Sequence, residues 1–137
     1  MARFDKYNSE GGSGFRAPLA AAYTAADTVI AVGLDVNGRV VPGAGQTGIV
    51  GVIVKPAGAP LTMGTIPAGT MVDVMDHGEV VEFPTSAGGA AGTVYTANTT
   101  TGVVSNAAMS ATQIVVGFTV EASRLIVRVR TPLYIGT

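Results

Sequence analysis

The stretch GAGQTG, Gly43 to Gly48, matches the G-x-G-x-x-G pattern that nucleotide-binding folds wrap around a pyrophosphate. That chemistry needs a strand before the glycines and a helix after them, because the helix N-terminus holds the phosphate charge. Here the motif runs into IVGVIVKP, with Val or Ile at five of its first six positions and Pro56 at the eighth. Those are strand residues, so no helix terminus is on offer. A P-loop is excluded too, since Ile49 and Val50 stand where Lys and Ser or Thr are required. The glycines read as a loop.

DVMDHGEVVE is the second candidate. It holds the single histidine, His77, and four of the nine acids, Asp73, Asp76, Glu79 and Glu82. Metal binding or acid–base catalysis needs several such groups to converge. Asp76-His77-Gly78 instead has the residues of a turn, and predicts a hairpin between TMVDVM and EVVEF. Glu79 and Glu82 then fall on opposite strand faces, and Asp73 points to solvent between inward Val72 and Val74. DVNGR begins like a calcium loop, but Arg39 occupies the third ligand position and no glutamate follows at the needed spacing. There is no cysteine and no G-x-S-x-G, and one histidine on a turn gives no basis for a triad. RLIVRVR carries three arginines without an interleaved stacking ring, which argues against nucleic acid. The expectation is therefore no enzyme: catalytic, cofactor-binding and metal-binding residues all none.

The elements around these stretches are short strands. TVIAVGL, DVNG and RVV make a hairpin, with Asn37-Gly38 supplying the turn. GIVGVIV is a nearly unbroken apolar run, as in a strand buried on both faces. TVYTA, NTTTG and VVS make another hairpin, and QIVVGFTVEA and RLIVRVR close the chain. In RLIVRVR, Leu125, Val127 and Val129 face inward, while Arg124, Arg128 and Arg130 face outward with Ile126 among them. That outer face is either wet or bonded to a partner. Such a series, punctuated by Gly and Pro and without helical period, predicts an all-β fold: a small β-barrel or β-sandwich built of short hairpins, with an extended N-terminal arm. A weak repeat runs through it. VGLDVNGRVV…GIVGVIV is echoed by VYTANTTTGVVS…IVVGFTV, offset by 63 residues from Val40 to Val103 and by 66 from Gly51 to Gly117. It reads either as two related modules or as the common likeness of hairpins.

Residues 1–24 form the predicted arm and connector, and residues 25–137 the β domain. Residues 1–17 hold five of the seventeen charged residues and three of the eight aromatic rings, Phe4, Tyr7 and Phe15, around a Gly/Ser hinge. Alone such a segment stays disordered, and it reads either as a frayed terminus or as an arm that orders against a partner with those rings as anchors. PLAAAYTAA, 18–26, is either a short helix or an extended connector. Arg3 and Lys6 before the alanines resemble a signal peptide, but YNSEGGSG cannot serve as its apolar segment, so the chain reads as soluble and unprocessed. A net charge of −1 gives no field toward nucleic acid or an acidic membrane. Charged residues are 12% of the chain, about half the usual ~25%, which fits a surface covered by neighbours.

Read end to end, the order of features resembles the small capsid decoration (cement) proteins of tailed bacteriophages. GIVGVIVKPAG, IPAGTMVDVMDHGEVVEF, AAGTVYTANTTTGVVSN, and IVVGFTVEA followed by LIVRVR carry the likeness, which spans roughly residues 28–131 and leaves out the arm. The resemblance implies a structural virion protein on the outer capsid surface. It would bind and stabilise the lattice of the major capsid protein, often as a trimer, with no direct nucleic-acid or membrane partner. The arm's composition, rather than the resemblance, makes Phe4, Tyr7, Phe15 and Arg16 the expected capsid contacts. The alternative is a carbohydrate-binding or adhesion module on a virion. Such modules stack exposed rings on sugars, and this chain has no tryptophan.

Overall fold

In a computed structural model, the described residues are 14–24, 29–53, 65–80 and 90–129. They form twelve strands: β1 (Gly14–Pro18), β2 (Tyr23–Thr24), β3 (Ile30–Leu34), β4 (Val40–Pro42), β5 (Gly51–Ile53), β6 (Thr65–Ile66), β7 (Met71–Met75), β8 (His77–Val80), β9 (Val94–Asn98), β10 (Val104–Ser105), β11 (Gln113–Glu121) and β12 (Arg124–Arg128). The fold is all-β, with no helix among the described residues. Two five-stranded antiparallel sheets have the orders β1-β7-β5-β3-β4 and β10-β9-β11-β12-β8, and β2 pairs with β6.

The first sheet curls until its two outer strands meet. Leu19, just after β1, bridges to Val40 of β4, and the Ala20 amide donates to the Val40 carbonyl at 2.9 Å. The inner face of this barrel holds Ala17, Val32, Val40, Ile53, Val72 and Val74, with Leu19 and Ile66 completing the cluster. Its outer face carries Ala31 and Val52, which join Tyr95, Ala97, Val116, Leu125 and Val127 of the second sheet in the other core. GIVGVIV is thus buried on both sides at β5, as its unbroken apolar run requires.

The two halves of the chain repeat one topology. Counting β1, β3, β4, β5 and β7 as first to fifth, and β8 to β12 likewise, both sheets run first–fifth–fourth–second–third. Gly51 pairs with Val32 and Gly117 with Tyr95, so the two glycines are counterparts. Each lets the neighbouring strand approach closely. A Cβ on Gly51 would lie 2.7 Å from the Met75 carbonyl oxygen, and one on Gly117 would collide with that of Ile126. The valines need one adjustment. The Asp35 amide donates to Arg39, whereas the Asn98 amide donates to Val103, so the second turn is one residue longer and Val40 corresponds to Val104, not Val103.

Two expectations change. Met71–Met75 and His77–Val80 are not a hairpin: β7 belongs to the first sheet, and β8 pairs with β12 in the second. Asp76 is the corner between sheets, tied by the Val129 amide donating to its carbonyl at 2.8 Å. Gly78, at φ 146°, adopts a backbone that side-chain-bearing residues avoid. The arm also ends earlier than composition suggested. Gly14–Pro18 is an edge strand paired with β7, and Pro18 is tolerated there because an edge strand can spare an N–H. The described part of PLAAAYTAA, residues 18–24, is not helical, and bends at Ala20 and Ala21 between β1 and β2.

Candidate interaction surface

The glycine-rich loop joins the two halves. Gly43 (φ 80°), Gly45 (φ 55°) and Gly48 (φ 84°) all take left-handed backbone. The Gly43 amide donates to the Ala31 carbonyl at 3.0 Å, and the Ala44 amide to Thr99 at 2.8 Å, in the β9–β10 turn. A Cβ on Gly43 would fall 2.6 Å from the Thr100 carbonyl oxygen and 2.7 Å from that of Thr99. From the other side, Gly102 brings its carbonyl to the Ala31 amide at 2.9 Å, where a side chain would strike the Ala31 oxygen. The loop's donors and its missing side chains are spent on backbone-to-backbone contact. GAGQTG leads into β5, as its strand residues require.

The acids near His77 diverge to separate partners. Asp73 meets Arg16 at 2.9 Å, Asp76 meets His77 Nδ1 at 2.8 Å, and Glu79 meets Arg124 at 2.7 Å. Among the described residues no three His, Asp or Glu side chains group as a metal site would require. Glu82 lies outside the described residues. Asp35, whose spacing resembled a calcium loop, is a turn cap instead. Its Oδ1 accepts the amides of Asn37 and Arg39 at 2.8 and 2.9 Å, and its Oδ2 accepts Arg39 Nε at 3.0 Å. The Arg39 amide, ahead of the other contacts, holds this carboxyl below its ordinary range.

Of the four expected contact residues, Phe4 and Tyr7 lie outside the described residues. Phe15 and Arg16 stand side by side on β1 with their side chains on opposite faces, so they do not form one patch. Phe15 lies opposite Val74, on the rim of the inner face, and is 40% exposed. Arg16 lies opposite Asp73, and their ion pair is open to solvent on both sides.

A larger apolar surface covers the outer face of the second sheet. Val94 of β9, Phe118 of β11 and Ile126 of β12 are register neighbours, continued by Glu79 of β8. Val94 is 52% exposed and Phe118 38%, with Val115 and Val120 exposed on the same strand. Arg124 closes one end, donating to Glu79 at 2.7 Å and to Glu121 at 3.1 Å. The hydrogen bond to Glu79 raises its pKa further above the ordinary arginine value. The arginine alternation of RLIVRVR marked this face at β12. Phe118 and Val120 were missed, although QIVVGFTVEA held the signal: a strand apolar at successive positions has an apolar outer face as well as an inner one. Val94, in TVYTA, was missed too, and only strand pairing sets it beside Phe118.

No family model and no curated protein sequence matches the chain. Among solved structures, a chain from Mycobacterium phage Patience superposes with a TM-score of 0.73 at 24% identity, covering 94% of this chain and 96% of that one. At that identity the likeness is one of fold.

Proposed function

We propose that this chain is a structural component of a tailed-phage virion, a decoration protein that binds the outside of the assembled head and stabilises the lattice of the major capsid protein. The observation that carries the reading is the near full-length likeness of fold to a chain from a phage. It agrees with the resemblance in feature order over residues 28–131. The same resemblance supports a trimer on the outer capsid surface. The role asks for no catalytic group, cofactor, nucleic acid or membrane.

In the proposed mechanism residues 1–13 lead into β1, the outermost strand of its sheet. An edge strand offers backbone donors and acceptors to an extended segment of a partner, while rings fill pockets beside it. Phe4, Tyr7, Phe15 and Arg16 make those contacts. Each contact is modest, and many copies on a repeating shell multiply it. The test is cosedimentation with heads of the source phage lacking their own decoration protein. The full chain binds. A chain without residues 1–13, which keeps β1, folds but binds at least about tenfold more weakly. Undiminished binding by the truncated chain overturns the arm, and failure of the full chain to bind overturns the decoration role. Glycan-array binding by the isolated domain would favour the adhesion alternative.

A further inference from the structure

The row Val94–Phe118–Ile126 has a counterpart inside the molecule. In the first sheet Ala31 pairs with Val52, and Val52 with Met75. Val32 and Tyr95 are counterparts through their glycine partners, so Ala31 corresponds to Val94, Val52 to Phe118 and Met75 to Ile126. Ala31 is fully buried and Val52 1% exposed, because the apolar inner face of the second sheet, with Tyr95, Leu125 and Val127, lies over them. The second sheet presents the same row, with larger side chains at two of its three positions and no sheet over it among the described residues. Contiguous exposed apolar patches on the order of a few hundred Å² mark interaction sites.

We propose that the outer face of the second sheet is a self-association surface, on which a second copy of this chain packs its own Val94–Phe118–Ile126 row about a two-fold axis. An apolar sheet face is what covers the matching row within the chain. Among the described residues the other apolar faces of the two large sheets are covered: the inner face of the first by barrel closure, the Ala31–Val52 part of its outer face by the second sheet, and the second sheet's inner face by the first, while the rest of the first sheet's outer face carries the solvated Arg16–Asp73 pair. The remaining one is this same face on another copy.

The charges around the row are self-complementary. Arg124 sits between Glu79 and Glu121, leaving one negative charge in excess, whereas Arg128 is exposed and has no ion pair among the described residues. The two arginines lie on the same side of β12, about 13 Å apart along it. A two-fold axis through Phe118 and Ile126 reverses β12 in the partner, setting Arg128 of each copy over the acidic end of the other. Such an isologous contact closes at two copies. The pairing is governed by mass action and so depends on concentration. It goes beyond the decoration role and needs no capsid.

Sedimentation equilibrium over rising concentration is expected to show monomer and dimer. Phe118→Arg should weaken the dimer by about tenfold or more, with thermal unfolding retained as proof of folding. Arg128→Glu should weaken it, and adding Glu121→Arg should restore part of the loss. The native chain has no cysteine, so Phe118→Cys should form a disulfide dimer on mild oxidation far faster than the exposed control Val36→Cys. Equal rates overturn the proposal, as does a monomer at every concentration. So does a monomeric Phe118→Cys variant whose introduced thiol is shielded from an alkylating reagent, which would place another part of the same chain on the face. A trimer with unreactive thiols overturns this contact while supporting the oligomer of the decoration role. Cosedimentation with heads is scored separately.

Discussion

Asn98 holds, in the second half of the chain, the place that Asp35 holds in the first. Each donates its amide across a hairpin, to Arg39 at 2.8 Å and Val103 at 3.0 Å. Each folds its side-chain oxygen back onto two amides of the turn. Asp35 takes those of Asn37 and Arg39, and Asn98 those of Thr100 and Thr101 at 2.8 and 3.0 Å. The Asp35 turn projects from the molecule with Val36 exposed, whereas the Asn98 turn carries the Thr99 and Gly102 carbonyls that dock on the first sheet. Asn98→Ala should therefore cost about 1 kcal/mol or more, and Asp35→Ala should lower the melting temperature less. Thermal melts of the two variants decide it. An equal loss would mean that docking adds nothing to the turn.

Asp35 also sets an acid limit. Its carboxyl is held below the ordinary range in the folded chain, so its contribution is present above the unfolded carboxylate pKa and disappears as pH falls through the lowered folded value. Asp35→Asn should therefore match the native chain in the pH dependence of stability above that window and fall off less steeply within it. Melting temperature against pH for both chains reads this. Identical acid slopes would remove Asp35 from the account.

The joint between the halves predicts unequal glycines. Gly38 and Gly43 both take positive φ, near +75° and +80°. Open space surrounds the Cβ position of Gly38, so Gly38→Ala should cost only the left-handed backbone penalty of about 1–2 kcal/mol. At Gly43 the added methyl meets two carbonyl oxygens of the β9–β10 turn, neither of which is a flexible side chain. Gly43→Ala should cost more than about 3 kcal/mol. Urea titration measures both, and a Gly43→Ala variant no worse than Gly38→Ala would mean that the halves do not meet there.

Sequence showed the local features and hid the distant ones. The β3–β4 and β9–β10 hairpins were legible because Asn37-Gly38 and the Asn98–Gly102 turn announce themselves within a few residues. The inward Val72 and Val74, and Leu125 and Val127, were legible because strand period is two. The sheet switch at Asp76 was not. Asp-His-Gly is good turn chemistry whether the chain reverses beside itself or crosses to another sheet, and only the distant β12 decides. β1 was hidden because one of its five residues, Ala17, is buried, so no apolar alternation shows. The interaction row needed three strands in register, which no local window contains.

His77 tests the reading of the acid-rich stretch. Its side chain is largely exposed, with Nδ1 2.8 Å from Asp76 Oδ1. Under the proposed structural role, His77→Ala should shift stability by no more than about 0.5 kcal/mol and leave head binding unchanged. A bound metal or an activity lost with this substitution would make the stretch a site.

The two faces of the second sheet should respond differently to truncation. Leu125 and Ile126 are adjacent on β12, yet Leu125 is fully buried against the first sheet while Ile126 lines the outer row beside Phe118. Leu125→Ala opens a cavity between two sheets that cannot collapse onto it, at a cost of about 3 kcal/mol. Phe118→Ala removes a ring already in part solvated, and should cost about 1 kcal/mol in dilute monomer. Urea midpoints at equal m-values measure both. The comparison must be repeated at high protein concentration, because pairing through the outer row stabilises only the chain that keeps Phe118. The gap between native and Phe118→Ala should widen with concentration, and the gap between native and Leu125→Ala should not. A Phe118→Ala cost that is already large in dilute solution would mean that Phe118 belongs to the core rather than to a docking face.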